Sequence, residues 1–190
     1  MIASIHERGK LMIGELFTRH GSDKDTYHSY GPVYEGLFRP IRDKVKDLLE
    51  IGVCGGGSLR AWAEYFPAAN IVGLDNNPAA LLNGVERIVS HAADATNSGE
   101  LEKVLAGSSF DIIVDDGSHW EGHQRESWNL LYWRVRPGGY YVVEDIQHFH
   151  TAQMFGELGA TIYDRREQKS HFDDILAVFR KPIDSAPGSG

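Results

Sequence analysis

The chain has 190 residues, 42% of them hydrophobic, which suits one globular domain with a sizeable core. A formal net charge of −8 with no basic stripe argues against nucleic acid as a partner. No apolar run approaches the roughly 18 residues that span a bilayer, residues 1–8 hold no apolar signal core, and the lone Cys54 excludes an intrachain disulfide framework and a cysteine-cluster zinc site, so a cytoplasmic protein is expected.

Residues 4–19 and 32–43 read as two short helices joined by the polar segment 19–30, and residues 1–45 as a helical cap. From 46 to 181 strand and helix patterns alternate. Strands are expected at 48–53, 71–75, 85–89 and 110–115, and from 140 onward. Helices are expected at 58–65, 98–106 and 123–135, the last stopped by Pro137-Gly-Gly139. Alternation at this spacing means βαβ units and a doubly wound α/β sheet, Rossmann-like and mostly parallel. Residues 160–163 and 175–179 read as a hairpin, which places one antiparallel strand beside the last parallel one. A single domain over 1–184 is followed by Ser185-Ala-Pro-Gly-Ser-Gly190, a loose tail. Trp62, Tyr65 and Phe66 recur at helical spacing, as do Trp128, Leu131 and Tyr132; both sets read as core. Lys169, His171, Asp173 and Asp174 read as solvated loop positions.

Two segments carry the chemistry, Asp111-Ile-Ile-Val-Asp-Asp-Gly-Ser-His119 and Tyr140-Tyr-Val-Val-Glu-Asp-Ile146. Each is a β-branched apolar run ending in acid, the form of a buried parallel strand that delivers charge to the carboxyl edge of a sheet. Open α/β sheets bind ligands at that edge. Asp115, Asp116, Glu144 and Asp145 converge there, and such a cluster repels itself unless a cation or shared proton offsets it. A divalent metal is the inference, and oxygen-rich surroundings favour a hard ion such as Mg²⁺. Helix capping by Asp116 or Asp145 is the plainer alternative, and it accounts for one acid per strand rather than two pairs. His119 and His123 stand four residues apart, a spacing that turns two imidazoles toward one cleft.

A second constellation follows the first strand. Glu50-Ile-Gly-Val-Cys-Gly-Gly-Gly-Ser58 closes a strand and opens a helix, and its glycines let the backbone turn tightly and approach a ligand. It departs from the dinucleotide fingerprint, because an acid precedes the glycines and Cys54 interrupts them. Asp75 ends the second strand, where an acid accepts the hydroxyls of an adenosine ribose. Asp94 follows the third, where it can accept the adenine amino group.

With Glu50-x-Gly-x-x-Gly-Gly, Asp75, Asp94 and the terminal strand pair, the chain resembles the class I S-adenosylmethionine-dependent methyltransferases. More narrowly it resembles the metal-dependent sugar O-methyltransferases of macrolide glycoside pathways, the mycobacterial polysaccharide-methylating enzymes, and the cephalosporin-hydroxylase-like subgroup. The segments that carry this narrower likeness are Gly21-Ser-Asp-Lys24 with His28-x-Tyr30, Asp115-Asp-Gly-Ser-His119 with His123-Gln124, and Glu144-Asp-Ile146. The resemblance implies S-adenosyl-L-methionine held by Glu50, Gly52, Gly56, Ser58, Asp75, Asn76, Asp94, Ala95, Asp115 and Tyr30. It implies Mg²⁺ on Asp116, Glu144 and Asp145, with His119 as general base, an imidazole near its unperturbed pKa. His123, Tyr27, His28 and His148 are candidates for substrate contact or support. The expected reaction is Mg²⁺-dependent methylation of a sugar hydroxyl on a glycoside or oligosaccharide, by a homo-oligomer, a dimer. A catechol-type O-methyltransferase and a non-catalytic cofactor-binding accessory protein are the alternatives; an iron oxygenase would want two histidines and one carboxylate.

Overall fold

The computed structural model describes residues 11–183, so the first part of the 4–19 helix and the 185–190 tail lie outside the described residues. Seven strands form one sheet in the order β3-β2-β1-β4-β5-β7-β6. They are β1 (Asp47–Ile51), β2 (Asn70–Asp75), β3 (Ile88–Ala92), β4 (Phe110–Asp115), β5 (Val135–Val143), β6 (Thr161–Asp164) and β7 (Ile175–Arg180). Strands β1 to β5 pair parallel, and β7 pairs antiparallel with both β5 and β6, so β7 is the one reversed strand. The chain changes direction of winding between β1 and β4, the switch point at which such sheets open a crevice.

The central strands are apolar on both faces because both are covered. One face packs against α1 (Ile13–His20), α2 (Gly31–Phe38) and α3 (Gly57–Tyr65), with Phe17, Tyr34, Phe38, Trp62, Tyr65 and Phe66 fully buried. The Trp62 ring stands edge-on to Phe17 at 4.8 Å and to Tyr34 at 5.2 Å, geometry that adds to the area buried. The other face packs against α4 (Ser98–Leu105), α5 (Glu121–Leu131) and α6 (Phe149–Glu157), around Leu131, Tyr141, Phe155 and Phe179. A short α7 (Arg166–Lys169) sits between β6 and β7. No helix among the described residues is long and apolar enough to cross a membrane.

Four boundaries differ from those the sequence leads one to expect. The third strand starts at Ile88 rather than 85, because Arg87 takes a left-handed turn (φ 63°) and its guanidinium donates to the Ala63, Phe66 and Ala69 carbonyls behind α3. The 123–135 helix runs instead from Glu121 to Leu131, followed by a 3-10 turn over Tyr132–Arg134. Pro137-Gly-Gly139 lies inside β5: the β4 register slips between Phe110 and Ile112, while Gly138 and Gly139 exchange backbone hydrogen bonds with Lys181. That is a bulge, one of the few places where proline and glycine suit a strand. The 32–43 helix breaks after Phe38 into a 3-10 turn at Arg39–Ile41. Asp174 is fully buried rather than solvated, while Lys169 is exposed as expected, with its Nζ donating to the Asp25, Thr26 and His28 carbonyls.

Candidate functional site

A cleft of about 200 Å³ opens at the carboxyl ends of β1, β2 and β4. Its lining includes Gly52, Asp75, Asn76, Asp94, Ala95 and Asp115 from the expected cofactor set, together with Gly117, Ser118, His123 and Ser127. The turn after β1 is held by Asp75, whose Oδ2 accepts from the Val53 amide at 2.9 Å, while Oδ1 accepts from Asn77 N at 2.8 Å. Gly52 must be glycine here: its φ is +90°, and a Cβ would stand 2.0 Å from the Asp116 carbonyl oxygen. Asp94 is already shaped by Thr96, whose amide and hydroxyl both donate to its Oδ1. Those bonds hold its pKa below the usual carboxylate value.

Glu50, Gly56, Ser58 and Tyr30 do not line that cleft. Glu50 is fully buried behind it, where Ser58 Oγ donates to its Oε2 at 2.7 Å. Burial pushes the Glu50 pKa up, partly opposed by Lys24. Asp115 is the buried acid that does face the cleft. Burial raises its pKa to about 6, against the Ser127 hydroxyl and Gly117 amide that donate to it.

Outside that lining, one oxygen of Asp116, one of Asp145 and a nitrogen of His119 lie within 4.8 Å of one another. His119 Nε2 stands 3.1 Å from Asp116 Oδ1 and 3.5 Å from Asp145 Oδ2. Neither acid caps a helix, since the cap residues of α5 and α6 are Trp120 and His148. His119 (φ 57°) and Asp145 (φ 54°) both hold left-handed backbone, as does Cys54 (φ 42°) in the glycine turn. Such conformations cost about 1–3 kcal/mol each and gather at sites that need an aimed side chain.

The sequence reading gave no role to Lys24. Its side chain is 1% exposed, and Nζ donates to Asp116 Oδ2 at 2.5 Å and Glu144 Oε2 at 2.6 Å, with Glu50 Oε1 at 3.2 Å. The four-acid cluster thus already contains a cation, so self-repulsion alone does not demand a metal. Burial works against charge on Lys24, yet Asp116, Glu144 and Glu50 outweigh it and hold its pKa well above the ordinary value. The same ammonium, with His119, overcomes burial at Asp116 and keeps that acid ionised. Glu144 is engaged at both oxygens, by Lys24 and by the Tyr34 hydroxyl, and burial pushes its pKa well up. It therefore stands outside the Asp116–His119–Asp145 trio. Asp145 rises to about 6 through burial and the Asp116 charge, eased by His119.

His119 is not near its unperturbed pKa. Burial alone would lower it, but the hydrogen bond to Asp116 and the Asp145 charge raise it to about 9. Nor does it share a helix face with His123: it precedes α5, whereas His123 lines the cleft with Nδ1 2.8 Å from Ser118 Oγ. His28 is buried between Asp145 (3.6 Å) and Asp174 (3.5 Å), stacked on Tyr30. Tyr27 is exposed and stacks on His171, and His148 is exposed and stacks on His150.

No protein-family model matches the chain. It is 35% identical over 189 residues to 8-demethyl-8-(2-methoxy-alpha-L-rhamnosyl)-tetracenomycin-C 3'-O-methyltransferase of Streptomyces olivaceus, a match over 93% of this chain and 48% of that protein. It is 37% identical over 143 residues to mycinamicin VI 2''-O-methyltransferase of Micromonospora griseorubida, over 70% of this chain and 36% of that protein. The chain thus spans about half or less of the length of these curated relatives. The solved MycE methyltransferase from the mycinamycin biosynthetic pathway, in complex with Mg, SAH and mycinamycin VI, superposes with a TM-score of 0.77 at 26% identity. That likeness covers 93% of this chain and 55% of that one. The N-methyltransferase NodS from Bradyrhizobium japonicum WM9 shares the fold alone, with a TM-score of 0.58 at 19% identity over 84% of this chain and 99% of that one. The chain carries the class I S-adenosylmethionine-dependent methyltransferase fold and is a relative of the sugar O-methyltransferases of glycosylated natural products.

Proposed function

We propose that the chain is an S-adenosylmethionine-dependent, divalent-metal-dependent O-methyltransferase acting on a sugar hydroxyl of a glycosylated small molecule. The observation that carries this reading is the placement of two sites on one loop. Asp115, Gly117 and Ser118 line the cleft, while Asp116 and His119 of the same loop belong to the trio. The donor chemistry of each site fits its ligand. Asp75 and Asp94 are acceptor-only groups at the ends of β2 and β3, suited to hydroxyl and amino donors. The trio offers two carboxylate oxygens, the ligand type a hard cation takes, with the His119 imidazole beside them as a base rather than a ligand; the side chains of Asp116 and His119 are partly exposed. The names of relatives specify rhamnosyl and olivosyl groups, which supports a natural-product glycoside over a polysaccharide.

S-adenosylmethionine, when bound, supplies a methyl group on a sulfonium sulfur. A divalent cation, when bound, supplies Lewis acidity and offsets the charge of Asp116 and Asp145. The chain's own residues position, exclude water and move a proton. Methyl transfer is an in-line displacement, so fixing donor and acceptor on adjacent faces of one rigid loop supplies much of the acceleration. His119 Nε2 takes the proton of the acceptor hydroxyl. It does so only as neutral imidazole; Asp116 and Asp145 hold its pKa at about 9, and a cation offsetting those two charges would lower it.

Labelled methyl transfer to a panel of glycosides and catechols tests the reading. Product on a deoxysugar glycoside is expected. Product on catechols alone would favour the aromatic alternative. Saturable binding of S-adenosylhomocysteine should be seen by calorimetry, and Asp75→Ala should weaken it about tenfold or more, as for loss of charge-assisted hydrogen bonds. Full affinity in that variant would remove Asp75 from the cofactor site.

A further inference from the structure

The two acids of the trio are each half used. Asp116 has Oδ2 bonded to Lys24 Nζ at 2.5 Å, and only Oδ1 faces His119. Asp145 has Oδ1 bonded to the Tyr30 hydroxyl at 2.5 Å, and only Oδ2 faces His119. The same pattern runs through Glu144, whose two oxygens are taken by Lys24 and Tyr34. All three blocking groups come from the N-terminal cap, and all are buried: Lys24 is 1% exposed, and Tyr30 and Tyr34 are 0%. They are held there by the cap itself. Tyr30 N donates to the Lys24 carbonyl at 3.0 Å, Ser29 Oγ donates to Asp174 Oδ2 at 2.5 Å, and Lys169 Nζ ties down the carbonyls between them.

A carboxylate with one oxygen occupied by a fixed donor binds a cation through the other oxygen alone. That restriction matters differently to different ions. Mg²⁺ takes six ligands in a tight octahedron and is content with single carboxylate oxygens and water. Ca²⁺ takes six to eight and gains from carboxylates that offer both oxygens. From this division of oxygens we infer that Lys24 and Tyr30 are positioning residues that set the ion selectivity of the trio, by confining Asp116 and Asp145 to one free oxygen each and so favouring the small octahedral ion over calcium. This rests on the metal-dependent reading given under the proposed function.

The test is calorimetric titration of Mg²⁺ and Ca²⁺ into the full chain and into Tyr30→Phe, a variant that deletes one hydroxyl from a well-packed ring. The ratio of the two affinities is the readout, because general damage to the site weakens both ions together and leaves the ratio alone. In Tyr30→Phe the ratio should move toward calcium by about tenfold, the lower range for freeing one hydrogen bond to a charged group. Lys24→Met should bind both ions more tightly, since a like charge beside Asp116 has gone, and its ratio should shift the same way. Should Lys24→Met fail to fold, Tyr30→Phe alone decides. An unchanged ratio in Tyr30→Phe overturns the inference while leaving the metal site standing. No binding of either ion to the unaltered chain overturns the metal-dependent reading itself, and this inference with it.

Discussion

Asp115 shows how one residue's surroundings become a measurable property of the molecule. Its folded pKa, about 6, lies above the ordinary aspartate value of 3.8, so the folded state binds this proton more tightly than the unfolded one. Its contribution to stability is therefore present below about pH 4 and is lost as pH rises to about 6, an effect of up to about 3 kcal/mol. Asp115→Asn should remove that limb and leave the protein more stable near neutral pH. Urea midpoints of both proteins from pH 4 to 7 check this; parallel curves would show that the acid is not desolvated as described. Residue identities at this site were legible in sequence wherever an acid ended an apolar strand, as at Asp75, Asp115, Asp116 and Asp145. Lys24 was not, because its role depends on a contact with Glu144 across 120 positions of chain. A lysine in a polar segment is indistinguishable from a solvated one until the fold delivers it. The raised pKa of His119 is hidden in the sequence for the same reason, since two acids that follow different strands converge on it.

At the scale of elements, the sequence was most legible where hydrophobic period and burial agree. Strands β1, β2 and β4 and helix α3 fall within two residues of expectation, because each is an apolar run or stripe bounded by turn residues. Legibility failed where a tertiary contact overrode local preference. Arg87 delayed β3 by spending its backbone on a turn that lets its guanidinium close the end of α3. The Pro137-Gly-Gly139 segment looks like a stop signal, yet pairing with Lys181 makes it a bulge inside β5. Helix α6 went unread, since its buried stripe amounts only to Thr151, Ala152 and Phe155. The crossing of the β1 turn against the β4 loop is the element contact on which both sites depend. Gly52→Ala should destabilise the fold by about 2 kcal/mol or more, combining left-handed strain with a backbone clash. It should also weaken S-adenosylhomocysteine binding. An unshifted urea midpoint would mean that the two loops can part without cost.

On the scale of the whole molecule, the sheet carries its chemistry at one edge, and the N-terminal cap closes that edge. Lys24, His28, Ser29 and Tyr30 each meet an acid from the far half of the chain, so cap and site order together. The proposed function requires a divalent ion on the Asp116 and Asp145 carboxylates, with His119 beside it as the base. It is tested most directly by transfer of labelled methyl from S-adenosylmethionine to a glycoside acceptor, before and after exhaustive chelation, with S-adenosylhomocysteine affinity measured alongside. Chelation and Asp116→Asn should each abolish turnover while leaving cofactor affinity within about twofold, and Mg²⁺ should restore the chelated protein but not the variant. Undiminished turnover after chelation would contradict the claim.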